Sequence, residues 1–141
     1  MLQINNSQAK NDGIAWIPMS QTIQRNTLLM HLQDKNLSGK IFGGNILRLA
    51  YELAWVTAFK FLKGKFPKCT HIDDVQFLGP VEIGTMMELE AVISYISEEV
   101  LHVIVECQNS RGSGETKTTN ILRISFEYSG EIAQVYPHSL K

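Results

Sequence analysis

The sequence predicts an α+β domain in which one long buried helix is wrapped by a strongly twisted antiparallel sheet of about five strands. Two observations lead to this prediction. Residues 43–62 carry apolar side chains three and four positions apart, and on the other faces as well, which is typical of a buried helix. From residue 69 onward the chain changes to β-branched and aromatic runs separated by turn residues. A helix this apolar needs a concave surface, and a twisted sheet supplies one.

The elements follow in order. Residues 14–20 combine Trp16 with Pro18 and predict an arm that docks on the body, and residues 22–31 have the pattern of a first strand. Residues 32–39 are the loop into the helix, which Gly64 and Pro67 end. Four strands in meander order then follow, and the tail from residue 131 is expected to pack on the surface. The strands are predicted at residues 69–78, 86–97, 100–109 and 116–128.

Length and charge limit the function classes. The 141 residues fit a flexible arm over residues 1–20 and a single domain over residues 21–141. A formal charge of −1 gives no general attraction to nucleic acid, and charged residues interrupt the helix, so we expect no membrane span. Residues 1–13 have no signal or transit pattern, which favours an intracellular, cytoplasmic location. Cys69 and Cys107 are expected to be buried thiols of a reducing compartment.

The start of the helix is the first candidate site. Gly43 and Gly44 open a helix end that carries unpaired N–H groups and roughly half a positive charge, which suits an oxyanion or a polarised carbonyl. The same glycines equally permit tight contact between the helix and a strand. Asn36 precedes this turn. Its amide is placed to hold a water or a substrate carbonyl, or it only shapes the loop as an Asx-turn.

Acidic residues are the candidate general bases. Tyr51 and Glu52 lie two turns into the helix, where a carboxylate in apolar surroundings has a raised pKa and suits a base near neutral pH. The alternative for Glu52 is an ion pair with Arg48, one turn earlier. Asp74, with the acid before it, opens a strand and lies either at the same cleft or in solvent.

Phosphate binding has one candidate feature, and metal binding has none. Arg111 and Lys117 flank a glycine-rich loop that is suited to grip phosphates, although a plain exposed hairpin explains it nearly as well. The four histidines and two cysteines form no ligand spacing, so no metal is expected. The sequence contains no GxSxG, GxxxxGK[ST] or GxGxxG motif, which leaves serine hydrolase, NTPase and dinucleotide functions without support.

Four motifs occur in order within residues 26–137. They are Asn36-x-x-Gly39-x-Ile41-Phe42-Gly43-Gly44, Arg48-x-Ala50-Tyr51-Glu52-Leu53-Ala54, Asp73-Asp74-x-x-Phe77-x-x-Pro80-Val81-Glu82-x-Gly84 and Thr118-Thr119-Asn120. Together they resemble the hot-dog-fold acyl-CoA thioesterases, most closely the second hot-dog repeat of the acyl-CoA thioesterase 9 group. The resemblance implies a hot-dog fold, a homodimer or higher homo-oligomer, and hydrolysis of fatty acyl-CoA to fatty acid and CoA. It also makes the mitochondrial matrix a possible location.

The resemblance also implies roles for residues. Asn36 would place the water or the thioester, and the N–H of Gly44 or Gly43 would polarise the carbonyl. CoA is part of the substrate, so no separate cofactor is expected. Many related thioesterases carry a catalytic acid at the position of Tyr51, one residue before Glu52, and that step is a rotation of about 100° on a helix. The substrate-binding residues would be Gly39, Phe42, Gly43, Tyr51, Arg111 and Lys117.

Two alternatives to a self-sufficient enzyme stay open. As a homodimer the chain would use Glu52 or Asp74 as base, with Glu52 the leading candidate. The chain is otherwise one half of a split site whose acid lies on other sequence, or a module that binds acyl-CoA without cleaving it. The hot-dog hydratases would require an Asp-x-Asn-Pro-x-His run. The run that begins at Asp34 has neither the proline nor the histidine, which demotes that function.

Overall fold

A computed structural model describes residues 15–31, 41, 43–110, 114–130 and 132–137. One helix packs on a five-stranded antiparallel sheet, which confirms the α+β prediction. The helix α1 spans Gly43–Phe61. The strands are β1 Trp16–Pro18, β2 Gln24–Leu29, β3 Lys68–Phe77, β4 Met86–Ser97, β5 Val100–Ser110, β6 Thr116–Glu127 and β7 Gln134–Tyr136.

Helix α1 fills the concave face of the sheet with one side only. Its small and branched residues lie on that side and are buried. The opposite side is a stripe of exposed residues four positions apart, so the predicted buried helix is buried on the side that faces the sheet. A single sheet covers only one side of the helix, and the charged residues on the opposite side stay in water. The buried residues are Ile46, Ala50, Leu53, Ala54, Thr57 and Ala58, and the exposed ones are Arg48, Glu52, Val56 and Lys60.

The strand order is β2-β4-β5-β6-β3, so only β4, β5 and β6 form a meander. The predicted meander of four strands was wrong because β3 pairs with β6 at the far edge instead of with β4. After Phe77 the chain crosses one end of the sheet. The N–H of Leu78 donates to the carbonyl of Thr119 at 2.7 Å, and the N–H of Gly84 then donates to that of Met30 at 3.0 Å.

The arm and the tail meet. β1 pairs with β7 in parallel, with Trp16 opposite Gln134 and Pro18 opposite Tyr136. A short 3₁₀ turn at Met19–Thr22 then leads into β2, two residues later than the start of the predicted first strand. The predicted docking of the arm therefore uses the tail as its partner. Among the described residues, no helix is both long and apolar enough to cross a membrane.

Candidate active site

The N-terminus of α1 lies where the crossing connection passes beneath it. The N–H of Ile41 donates to the carbonyl of Val81 at 2.9 Å, and both side chains are buried, which fixes the entry into the helix. A Cβ added to Gly43 would lie 3.0 Å from Cε1 of Phe77, near the end of β3. Glycine permits this close approach, as the alternative interpretation of the glycine pair expected.

This helix end retains the chemistry of an anion site. The first N–H groups of an α-helix have no acceptor within the helix, and the dipole leaves a partial positive charge around them. No acidic residue lies in the first turn of α1 to compensate that charge. Phe77 is 59% exposed, so its ring forms one wall of an open surface. A carbonyl oxygen approaching Gly43 and Gly44 would meet N–H donors beside an aromatic wall.

Tyr51 and Glu52 point in different directions from α1. The Tyr51 ring lies 6.3 Å from that of Phe126 on the sheet, and burial, followed by the nearby Cys69 thiol, raises the pKa of its hydroxyl. Glu52 lies on the exposed stripe, where its carboxylate accepts from Arg48 at 3.0 Å and both side chains are 57% exposed. The step of one residue therefore separates the inward-facing phenol of Tyr51 from the outward-facing carboxylate of Glu52. The alternative pairing of Glu52 with Arg48 is present.

Asp74 lies in an irregular part of β3. The register shifts between Asp73 and Gln76, and Asp74 has a φ of 51° within this bulge. Its carboxylate lies 3.5 Å from Nε of Arg123, and the Asp74 side chain is 68% exposed. Three residues of strand separate it from Phe77, or roughly 10 Å. Asp74 is thus on the edge strand that reaches the helix N-terminus but is set back from it.

The remaining candidates divide by location. Lys117 is exposed and lines a pocket of about 250 Å³ with Asn109, Glu115 and Thr116, at the end of the β5–β6 hairpin. Asn36, Gly39, Phe42 and Arg111 lie outside the described residues, so their roles stay predictions.

Sequence reasoning did not assign Phe77 a role, although the residue stands in a matched motif. The partner of Phe77 across the sheet is Asn120 of β6, which is buried. The available signal was the position of Phe77 two residues before Gly79-Pro80, because such a turn sequence marks the end of a strand. No local pattern indicates that its ring contacts Gly43, because that contact depends on β3 lying at the sheet edge.

Comparison with known proteins identifies the relationship. No family model matches the sequence. Mitochondrial acyl-coenzyme A thioesterase 9 of Mus musculus is 33% identical over 120 residues, which cover 84% of this chain and 27% of that protein. An apo-hexameric acyl-CoA thioesterase structure superposes with a TM-score of 0.84 at 25% identity, covering 89% of this chain and 85% of the other. This chain has the hot-dog fold and is similar in sequence to acyl-CoA thioesterases. It spans about a quarter of the length of the curated relatives that it matches.

The hot-dog fold recurs in an acyl-CoA hydrolase of Staphylococcus aureus solved with butyryl coenzyme A and coenzyme A. That structure has a TM-score of 0.81 at 22% identity and covers 89% of this chain and 80% of its own. Within the hot-dog frame, α1 is the enclosed helix and β3 is an edge strand of the sheet. The placement of the chain in the second repeat of a two-repeat thioesterase stays a prediction.

Proposed function

We propose that this hot-dog domain hydrolyses fatty acyl-CoA to fatty acid and CoA. The observation that carries the proposal is the glycine-opened N-terminus of α1, held against Phe77 at an edge strand. Similarity to acyl-CoA thioesterases supports an acyl thioester as the substrate at that helix end. The free N–H groups and helix dipole suit the carbonyl oxygen of a thioester, whose negative charge grows as a tetrahedral intermediate forms.

The proposed reaction needs one water and one base. The thioester oxygen accepts from the N–H of Gly44 or Gly43, and Asn36 holds the water or the thioester. A carboxylate takes one proton from the water while the water oxygen bonds to the carbonyl carbon. Collapse of the intermediate breaks the carbon–sulfur bond and releases the acid, and the CoA thiolate leaves with the proton.

Glu52 remains the leading base, with Asp74 as the second candidate. Eight residues separate Gly44 from Glu52, which is about 12 Å along the axis of α1. A carboxylate that far along the same helix does not reach a water at the N-terminus. We therefore infer that the acid acts on a thioester bound at the helix end of another copy or repeat. The exposure of Glu52, with its side chain 57% accessible, supports this inference.

A homodimer or higher oligomer built along β3 would supply that second copy. Among the described residues β3 has a neighbour on one side only, and an edge strand favours pairing with another strand. Ile72, Phe77 and Leu78 are each about half exposed along this edge, as residues of an interface are in a single chain. The hexameric assembly of a structural neighbour supports an oligomer. CoA phosphates would meet Arg111 and Lys117 near this seam.

Two observations favour a second candidate function. Tyr51, whose hydroxyl has a raised pKa, occupies the position where related thioesterases carry their acid, and Glu52 is already paired with Arg48. The chain also matches only 27% of the mouse relative. Both facts suit a module that binds acyl-CoA and depends on an acid elsewhere, as one half of a split site. The mitochondrial name of that relative supports a mitochondrial location for the whole protein as a proposal.

The deciding experiment measures turnover of acyl-CoAs of several chain lengths. Loss of the thioester's ultraviolet absorbance is the preferred readout, because the half-buried Cys69 thiol would react with a thiol reagent. Glu52→Gln, Asp74→Asn and Asn36→Ala are compared with the parent. Glu90→Gln is the matched control for Glu52, because Glu90 is also a carboxylate paired with an arginine, Arg25, at 2.8 Å.

The outcomes separate the two functions. If the enzyme is self-sufficient, one acid substitution lowers kcat by a hundredfold or more, as loss of a general base does, while Glu90→Gln does not. Mixing Glu52→Gln chains with Gly43→Ala chains then restores part of the activity, because one shared site keeps both intact groups. Saturable acyl-CoA binding without turnover in the parent contradicts the enzyme and leaves the binding module.

A further inference from the structure

A basic aromatic surface lies at the C-terminal end of α1. We use this name for Trp55, Phe59 and Phe66 together with Lys60, Lys63, Lys65 and Lys68. Residues 60–68 read KFLKGKFPK, in which four of nine residues are lysine and none is acidic. The whole chain has a formal charge of −1, so this segment departs strongly from the average.

The three aromatic rings form a cluster near the C-terminal end of α1, where Trp55 also packs against the hydrophobic core. The Trp55 and Phe59 rings stack with centroids 5.1 Å apart, and the Phe66 ring lies 5.9 and 5.6 Å from them. Phe66 is 80% exposed, and Val56 beside the cluster is 38% exposed. An exposed ring that stands beside two half-buried rings and an exposed valine marks an interaction site more often than a single exposed residue does.

The turn after α1 holds Phe66 outward. Lys63 and Gly64 have φ values of 54° and 88°, the left-handed conformation that ends many helices. The N–H of Gly64 donates to the carbonyl of Phe59 at 3.1 Å, and the N–H of Lys65 donates to that of Leu62 at 3.4 Å. The backbone of the turn is therefore fixed, and the exposed ring is part of a defined conformation.

The lysines keep most of their charge available. Nζ of Lys60 donates to the amide oxygen of Gln24 at 3.0 Å, and Nζ of Lys65 donates to the carbonyl of Ser129 at 3.2 Å. Both acceptors are neutral. Lys68 lies 4.0 Å from Glu127, at the limit for an ion pair, and its side chain is 79% exposed. The surface thus combines one exposed and two half-buried aromatic rings with four lysines, of which only Lys68 has an acidic partner within 4.0 Å among the described residues.

We propose that the basic aromatic surface docks on the surface of an anionic lipid bilayer. Aromatic side chains favour the boundary between headgroups and acyl chains, and basic residues around them are attracted to anionic headgroups. Charge favours this partner over a second copy, because two copies meeting here would bring eight lysines together. Docking is peripheral and independent of the proposed hydrolysis, although a bilayer also concentrates long-chain acyl thioesters.

The test measures sedimentation of the protein with vesicles of phosphatidylcholine alone or mixed with phosphatidylglycerol. We expect binding to the mixed vesicles only, and weaker binding as salt is raised. Lys63→Gln combined with Lys65→Gln should lower the partition coefficient about 25-fold, about fivefold for each charge. Phe66→Ala should lower it about tenfold, since the buried ring is lost.

Two control variants carry matched changes elsewhere. Arg25→Gln removes an exposed cation, and Tyr95→Ala removes a ring that is 59% exposed on the outer face of the sheet. Both should bind vesicles as the parent does, and circular dichroism checks that every variant is folded. Absence of binding to anionic vesicles overturns the proposal, as does equal binding to neutral ones.

Two further results assign the surface to another partner. Loss of vesicle binding with inorganic phosphate, but not with chloride at the same ionic strength, would make it a site for soluble phosphates. A change in sedimentation coefficient for Phe66→Ala without any change in vesicle binding would make it an interface between copies. Each result contradicts bilayer docking, and neither depends on whether the protein hydrolyses acyl-CoA.

Discussion

Replacing Gly43 with alanine should separate stability from function. Gly43 is the first residue of α1 and lies in the proposed oxyanion site. The added Cβ would meet Cε1 of Phe77 at 3.0 Å and two other ring atoms at 3.7 and 3.8 Å. Carbon atoms in contact favour about 3.5–4.0 Å, so the ring must move by roughly 0.5 Å or more.

The stability effect of Gly43→Ala should be small. Phe77 is 59% exposed, so its ring has room to move toward solvent. Alanine also favours the helix over glycine by up to about 1 kcal/mol, and less in the first turn. These opposing effects leave the free energy of unfolding within about 1 kcal/mol of the parent value. Turnover should fall about tenfold to a hundredfold, because the methyl group and the displaced ring crowd the carbonyl oxygen.

The assay pairs acyl-CoA turnover with denaturant unfolding. Gly79→Ala is the matched control, because a Cβ at Gly79 meets no atom within 4 Å. Adding Phe77→Ala to Gly43→Ala removes the clash, and a double-mutant cycle should recover most of the lost rate. Parental turnover in Gly43→Ala would refute the reasoning. Loss of activity that matches a loss of folding, or that Phe77→Ala fails to relieve, would also count against it.

Two further perturbations test the core and the edge strand. Burial raises the pKa of Cys107 to about 12 from an ordinary 9.0, so the folded thiol keeps a proton that the unfolded chain releases above pH 9. The free energy of unfolding should therefore be unaffected by this group below pH 9 and fall by up to about 1.4 kcal/mol per pH unit above it. Urea unfolding at pH 8 and 10 should show a smaller loss of unfolding free energy for Cys107→Ala than for the parent. An equal loss in the two proteins would contradict the assignment of this pH dependence to Cys107. Ile72→Lys on β3 should yield a monomer in sedimentation velocity, with little turnover, while Leu29→Lys on the opposite edge keeps the parental assembly. Equal behaviour of the two lysine variants would exclude β3 as the interface.

Local patterns predicted the elements well, because helix and strand periods are properties of neighbouring residues. The predicted helix at residues 43–62 matches Gly43–Phe61, and the strand at residues 86–97 matches Met86–Ser97. The position of β3 was beyond such reasoning. Its alternation is the same whether it pairs with β4 or with β6, and the hydrogen bond from Leu78 to Thr119 that extends the β6 pairing joins distant segments.

The candidate site also combines features that the local sequence predicts with features that depend on the tertiary structure. The rotation between Tyr51 and Glu52 follows from helix geometry, but the direction each faces does not, since apolar residues surround both in sequence. The exposed stripe on α1 includes Val56, which hydropathy alone assigns to the core. The contact of Phe77 with Gly43 likewise requires knowing that β3 is an edge strand.

The two proposals use opposite ends of one helix. The hydrolytic site begins at Gly43, and the basic aromatic surface surrounds the end of α1 near Phe61. Eighteen residue steps separate these ends, or about 27 Å. The basic aromatic surface and the proposed hydrolytic site therefore occupy separate parts of the molecule. Because no described residue serves both ends, loss of vesicle binding in Phe66→Ala should leave hydrolysis of soluble short-chain substrates unchanged.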